Sequence, residues 1–457
     1  MSRGKPSFQH GHPTLLPKEH IDWLTRPVLR FLHIEAAAGV LLLLSTLAAL
    51  ALANSFWAER FQTMWEIPLG IHLGPMEFTR GLREWINDAL MTLFFFLVSL
   101  ELKRELALGE LSNPRSAALS IAAACGGMLV PAAIYLTFQW DQPGQSGWGT
   151  VMATDTAFMV GCLALLGSRL PRSLRVFMLS LAIVDDIGAI LVVAIGYGGQ
   201  IDWLAIALAV IGFMGVKAMA VLGIRNLALY FLIGGVIWLA VDASGIHPTV
   251  TGVILGLMTP TNKWVSDERL HAIMDCVAAY PPGDHWRSNI AARQSLKTAE
   301  AAAREALSPV ERLEIVLHPW VSYLIMPLFA LANAGVPLTI ADFENSVTIA
   351  VIAGFTLGKP IGILIFSWLA VSTGIAIMPV GLRWHFILGG GLLAGIGFTM
   401  ALFIADLAFG PTLINAAKLG ILSASVCSAL AGIALLSLCS LRNRSAGPVG
   451  TVKNAEQ

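Results

Sequence analysis

Charge is what this sequence has least of. Only 13% of its 457 residues are Asp, Glu, Lys or Arg, against 56% that are hydrophobic. Soluble domains carry roughly 25% charged residues. Half that density excludes an ordinary water-soluble globule and points to lipid as the solvent, as does a mean hydropathy of +0.73. Cysteine is scarce too. Cys125, Cys162, Cys276, Cys427 and Cys439 are scattered, with neither the spacing of a disulfide framework nor that of a metal-ligand set. The net charge is zero, so the whole-molecule charge selects no partner. Residues 1–32 are polar and basic without a signal-peptide cleavage region, and the first apolar run is expected to act as an uncleaved insertion signal.

Long apolar runs are what the chain has instead. A helix needs about 20 apolar residues to cross the hydrocarbon core. By that measure the sequence predicts twelve spans, at about 33–53, 86–107, 118–138, 149–167, 173–198, 203–222, 227–243, 247–260, 312–335, 345–371, 384–409 and 412–440. The expected fold is an all-α polytopic membrane protein of twelve transmembrane helices. Lys and Arg crowd one side of this topology: five lie in residues 1–32, seven in 261–312 and three after Leu441. The opposite side has Arg60, Arg80 and Arg83 in one long segment and none in its other loops. Such a bias predicts that both termini are cytoplasmic. The expected organisation is a tail at 1–32, a transmembrane domain at 33–441 and a tail at 442–457 that is expected to be disordered.

Two extramembrane segments interrupt the domain. Residues 54–85 alternate apolar and polar residues around Pro68, Gly70, Gly74 and Pro75, which suits a short exterior hairpin as well as a plain ordered loop. Residues 261–311 end in SLKTAEAAAREALSPVE, read as a solvated cytoplasmic helix before span 9. Spans 4 and 11 contain residues that good helices avoid: ATDT in span 4, and Gly389–Gly391, Gly395, Gly397 and Thr399 in span 11. Breaks at membrane depth survive only where protein or a water-filled cavity satisfies the freed backbone groups. One such helix in each half points to a transporter site. A mid-span proline in span 3 (Pro131) and in span 10 (Pro360), each preceding a broken span, is compatible with an inverted repeat.

Four ionisable residues lie well inside spans: Asp155, the adjacent Asp185 and Asp186, and Lys359. Each costs about 2.5–3.5 kcal/mol on insertion scales, so mutual pairing must offset part of the total. Neighbours on a helix point about 100° apart; one aspartate of the doublet can face a cavity while the other faces a packed partner. A cluster of this kind titrates as a unit. Its oxygens suit a small hard cation or protons, and competition between the two would by itself couple their movements. Asp155, flanked by Thr154 and Thr156, is expected to meet half-helix N-termini, and Lys359 to offset half-helix C-termini. Lys217 and Lys418 read as snorkelling residues, Asp88 as a helix-N-terminal carboxylate, and Asp406, near the exterior end of span 11, as an interfacial residue or a second ion-pathway one.

The stretches ATDTAF, LAIVDDIGAI, LANAGV, GKPIGI and GIGFTMALFIADLAF, with WINDALMTLFFFLVSLELKREL and ERLEIVLHPW, resemble in content and order the NhaA-type bacterial sodium/proton antiporters. The resemblance runs over about residues 25–440 except most of 262–310. It implies inverted-topology repeats whose broken spans 4 and 11 cross near the midplane, supported by Thr154, Asp155, Gly395, Gly397 and Thr399. It implies Asp185 and Asp186 as the cation- and proton-binding pair, Asp186 the more direct sodium ligand, with Lys359 pairing with Asp185 or sharing in proton exchange. It further implies electrogenic exchange of cytoplasmic Na+ (and Li+) for external protons, faster at alkaline pH, in the bacterial inner membrane. Glu101, Arg104, Glu105, Glu314 and His318 match a cytoplasmic cluster tied to the pH response, and His247 matches another such position. The 54–85 segment matches a homodimer contact. No cofactor is implied. Ile315 stands where the best-studied relatives have a second histidine, and the loop before it is longer, which leaves the pH profile open. A same-fold transporter of another cation or an organic solute is the alternative; a retinal-binding lysine, a membrane aspartyl protease and a channel fit the sequence less well.

Overall fold

A computed structural model describes residues 35–73, 76–109, 114–224, 227–279 and 290–445. The predicted N-terminal tail and residues 446–457 of the C-terminal one lie outside them. The fold is an all-helical membrane bundle with one small hairpin. Among the described residues, eight helices are long and apolar enough to cross a membrane, including Leu82–Ala107, Ala117–Gln139, Arg172–Gly196, Pro309–Asn333, Ser346–Ser372 and Ile414–Leu441. The first span, the bent pair at span 11 and two shorter apolar helices, Leu227–Ala243 and Thr249–Met258, occupy the other four predicted positions. Exposed leucine, isoleucine, valine and tryptophan on the outward faces are what lipid as solvent requires.

Spans 3–5 and 10–12 form one symmetric unit. Span 3 packs on span 5 as span 10 packs on span 12, and span 3 meets the first half of span 4 as span 10 meets the first half of span 11. The first half of each broken span touches the second half of the other. Spans 3 and 10 come closest. A Cβ on Gly362 would lie 2.1 Å from the Gly126 carbonyl oxygen, and one on Gly126 would lie 2.2 Å from that of Gly362, so only glycine permits this crossing. The remaining spans pair alongside: 2 with 8, 6 with 7, and 9 with 1 and 2.

Both interruptions are real, and they are local. Span 4 begins as a 3-10 helix, Gln145–Met152, runs extended through residues 153–155 and resumes as an α-helix at Thr156–Leu166. Span 11 is helical over Trp384–Ala394 and Phe398–Ala408, the two halves meeting at 48°. The Gly389–Gly391 run does not loosen span 11. It stays helical, and its missing side chains admit Leu436, Met178 and Pro360 from neighbouring spans.

The 54–85 segment folds as a helix, Ala58–Trp65, followed by an antiparallel hairpin of β1 (Pro68–Leu73) and β2 (Met76–Gly81). The alanine-rich helix before span 9, Ile290–Glu305, is not simply solvated. It packs against a second helix, Asp267–Ala278, and Ala292, Ala299 and Ala302 are buried along one face. Alanine spacing there reflects a close helix–helix contact rather than water. Span 12 continues helical to Ser445, past the predicted start of the tail.

Candidate functional site

The site lies where the two breaks cross. Freed backbone groups in apolar surroundings must find partners, and each break supplies the other. The Asp155 N–H donates to the Ile396 carbonyl at 2.7 Å. The Asp155 side chain caps two half-helices at once: Oδ1 accepts from the Phe158 N–H at 3.1 Å, and Oδ2 accepts from the Thr399 N–H at 3.0 Å and from the Thr399 hydroxyl. One fully buried carboxylate thus faces the positive ends of the second half of span 4 and the second half of span 11. Gly395 and Gly397 belong to the same crossing. A Cβ on Gly395 would lie 2.7 Å from the Phe355 carbonyl oxygen, and one on Gly397 would overlap the Phe355 ring.

Lys359, fully buried, follows a π-helical stretch, Gly354–Gly358, and precedes Pro360. Its ammonium donates to Asp185 Oδ2 at 3.0 Å and to the Thr154 hydroxyl. Thr154 Oγ1 lies 2.7 Å from Asp185 Oδ2 and 3.1 Å from the Ala394 carbonyl. A hydroxyl has one proton to donate, so Thr154 relays Lys359 either to Asp185 or to the C-terminal carbonyl of the first half of span 11. Asp185 Oδ1 is buried with no hydrogen-bond partner. In a site otherwise this fully bonded, that oxygen is a spare acceptor aimed at Gly127 of span 3.

Asp186 turns the other way. Its Oδ2 is 3.3 Å from the Thr156 hydroxyl, and it keeps 4% of its surface accessible while Asp185 keeps none. Gly188, one turn from the doublet's start, seats the Met128 thioether where a side chain would be. The cluster therefore has two unlike carboxylates: one locked to a lysine, the other held by a single weak hydroxyl contact.

The chain as a whole is similar to proteins of known kind. A profile of the family described as Na+/H+ antiporter 1 matches residues 29–436. The chain belongs to that family. It is 60% identical over 434 residues to the "Na(+)/H(+) antiporter NhaA 3" of Acidiphilium cryptum, covering 95% of each chain. It is 58% identical to the NhaA antiporter of Rhizobium meliloti over 94% of this chain and 98% of the relative. A more distant relative, NhaA 2 of Sorangium cellulosum, is 45% identical over 97% and 96%. With its helices long enough to cross a bilayer, the family member described here is a multi-pass bacterial membrane protein.

The remaining predicted residues divide between two other places. Arg104 donates to Glu314, joining spans 2 and 9. Glu101 is near enough to Glu314 and to Asp186 for their charges to act on one another, and Glu105 acts on Glu314. Acidic residues therefore run from this cluster toward the doublet. His318 and Ile315 lie on the same helix as Glu314, and both are exposed. His247 is not part of this group. Its Nε2 is 3.6 Å from Asp88, on the face that carries the hairpin.

Two readings of buried charge need correction. Asp88 is not a helix-terminal carboxylate: span 2 starts at Leu82, and Asp88 lies a turn further on, in a π-helical stretch. There it accepts from Arg80 of β2, which also holds both oxygens of Asp242 at 2.6 Å. Asp406 and Lys418 are not separate interfacial and snorkelling residues. They form an ion pair at 2.7 Å, with 17% and 8% of their side chains accessible. Sequence reasoning also missed Ser425, whose hydroxyl accepts the Phe398 N–H at 3.2 Å, and Asn87 and Asn333. Polar residues inside apolar spans were the available signal, but their partners lie on other helices.

Proposed function

We propose that the protein exchanges cytoplasmic Na+ for external protons across the bacterial inner membrane, by alternating access to the Asp185–Asp186 site. The observation that carries this reading is the crossing of the two broken spans at a buried carboxylate doublet paired with Lys359. Family membership and antiporter-named relatives over nearly the full chain support it.

Asp186, the less tightly held carboxylate, is the primary Na+ ligand, with Asp185 and nearby hydroxyl and carbonyl oxygens completing the shell. Hard cations prefer such oxygen donors. Binding Na+ and holding protons draw on the same oxygens, so each ligand expels the other. Lys359 occupies Asp185 when sodium is absent and yields as it binds. The cluster releases more than one proton for each Na+, which makes the cycle electrogenic, and Li+ is accepted at the same ligands. The breaks let the halves of spans 4 and 11 tilt while Asp155 keeps their N-termini compensated. Both termini and the Glu101–Arg104–Glu105–Glu314–His318 cluster face the cytoplasm, where that cluster and, across the membrane, His247 tune activity upward at alkaline pH. The hairpin faces outward and joins two copies.

The test is proton flux in proteoliposomes on addition of Na+ or Li+ between pH 6 and 9, for the parent protein and Asp186→Asn. Collapse of an imposed proton gradient by the parent, and a loss of at least about 100-fold in the variant, is the expected result; that loss corresponds to about 2.7 kcal/mol. No response of the parent to either cation at any pH would transfer the fold to another solute.

A further inference from the structure

Asp406 and Lys418 take no part in the central site, yet they are an ion pair inside the bundle, joined to two asparagines from helices outside the symmetric unit. Asp406 is seven residues beyond Thr399 on the second half of span 11, about 10 Å along the helix toward the hairpin face. Lys418 holds its Oδ1 from span 12 at 2.7 Å. Its Oδ2 accepts from Asn87 of span 2 at 3.2 Å. Asn333 of span 9 donates to Asn87 Oδ1 at 2.7 Å and to the Phe329 carbonyl at 3.1 Å, and it accepts weakly from Asn87 at 3.4 Å. Directly beneath, one turn nearer the site, Phe403 packs its ring against Phe95 of span 2 at 5.5 Å, Phe329 of span 9 at 6.4 Å and His247 at 5.4 Å.

We propose that the Asn87–Asp406 hydrogen bond, backed by Phe403, is the exterior gate of the ion route: Lys418 presents Asp406, Asn87 latches span 11 onto span 2, and Asn333 of span 9 holds Asn87 in place. The inference rests on the alternating-access reading above. Its physical basis is the placement of the bonds. Lys418 and Asp406 belong to the same symmetric unit and move together, whereas Asn87 and Asn333 belong to the neighbouring helices. Opening a path from the hairpin face to Asp155 and the doublet requires the second half of span 11 to part from spans 2 and 9. The parting breaks the Phe403 ring contacts and the one hydrogen bond from Asn87 to Asp406, while the Lys418–Asp406 ion pair stays intact. A latch of one hydrogen bond and a few ring contacts is breakable on each cycle.

The experiment uses full-length protein with its five cysteines replaced by serine. In one arm Phe403→Cys is labelled in proteoliposomes by a membrane-impermeant thiol reagent added from the hairpin side, with and without Asn87→Ala and Asn333→Ala. The Asn87–Asp406 bond is the one that crosses the boundary, and its loss is worth about fivefold in an equilibrium, so the doubly substituted protein should label at least about fivefold faster. Equal rates overturn the latch. This readout needs no transport, so it stands whether or not the parent exchanges sodium. In the second arm Asn87→Cys and Asp406→Cys are joined by oxidation. Na+-driven flux should fall at least about tenfold and return on reduction, relative to the unoxidised double variant; tenfold is a 1.4 kcal/mol effect. Undiminished flux in the joined protein overturns the gate.

Discussion

At the scale of single residues, one carboxylate and one ammonium hold most of the site together. Asp155 supplies the N-terminal cap of two half-helices that belong to different parts of the sequence. A lost cap costs about 0.5–2 kcal/mol, so Asp155→Ala, which loses two, should destabilise the protein by about 1–4 kcal/mol. Asp155→Asn keeps the acceptor oxygen and should lose about half as much. Thermal unfolding in detergent separates them, and equal midpoints for the two variants would contradict the double-cap account. Lys359 and Asp185 are both fully buried at 3.0 Å. Removing one member of such a pair strands a charge and costs about 3–5 kcal/mol. Lys359→Ala should therefore be less stable than the double variant Lys359→Met with Asp185→Leu, although the double variant removes more native contacts. The reverse order would mean that the pair is not what Lys359 satisfies.

At the scale of elements, glycine decides how closely spans 3 and 10 meet. A Cβ on Gly362 would enter the Gly126 carbonyl, and that backbone cannot swing aside as a flexible side chain could. Gly362→Ala should cost about 1–3 kcal/mol or more through overpacking. It should also lower transport, because Lys359 lies one turn away on the same helix. Gly215, in span 6, has nothing within 4 Å of its missing Cβ. Gly215→Ala should leave the protein unchanged or raise its stability by about 0.5–1 kcal/mol. A pairwise comparison of unfolding midpoints tests both, and similar losses in the two would remove close approach as the reason for Gly362. The contrast is hidden in the sequence, where both glycines sit in apolar helices and look alike.

At the scale of the whole molecule, the hairpin is tied to the bundle through Arg80 of β2 and through the Leu69 carbonyl of β1, which accepts from Trp85 Nε1 at 2.8 Å. Arg80 ties β2 to span 2 through Asp88 and to the end of span 7 through Asp242, and its guanidinium lies 5.8 Å over the Trp238 ring. These contacts hold the strands against the bundle, as the proposed dimer contact requires. Deleting residues 68–81 should convert a dimer into a monomer by light scattering in detergent, while leaving Na+-driven flux detectable. Arg80→Ala should weaken the dimer by about tenfold or more in concentration, a 1.4 kcal/mol effect, without abolishing it. A deletion variant that remains dimeric would place the contact elsewhere.

Much of this protein is legible in the order of its residues. Hydropathy is a property of consecutive residues, so the twelve apolar runs, the all-helical class and the four costly charges at 155, 185, 186 and 359 can be read directly. That spans 4 and 11 break can be read as well, though of the glycines in span 11 only Gly395 and Gly397 mark the break, while Gly389–Gly391 stay helical. What only the tertiary structure decided is which group answers which. Asp155 meets Thr399 across 244 positions, Arg80 meets Asp242 across 162, and Asp406, which looked interfacial, is claimed by Lys418 and Asn87. A buried polar atom announces its need locally, but its partner is chosen by how helices cross. That crossing is set by glycine contacts and bends spread over the whole chain.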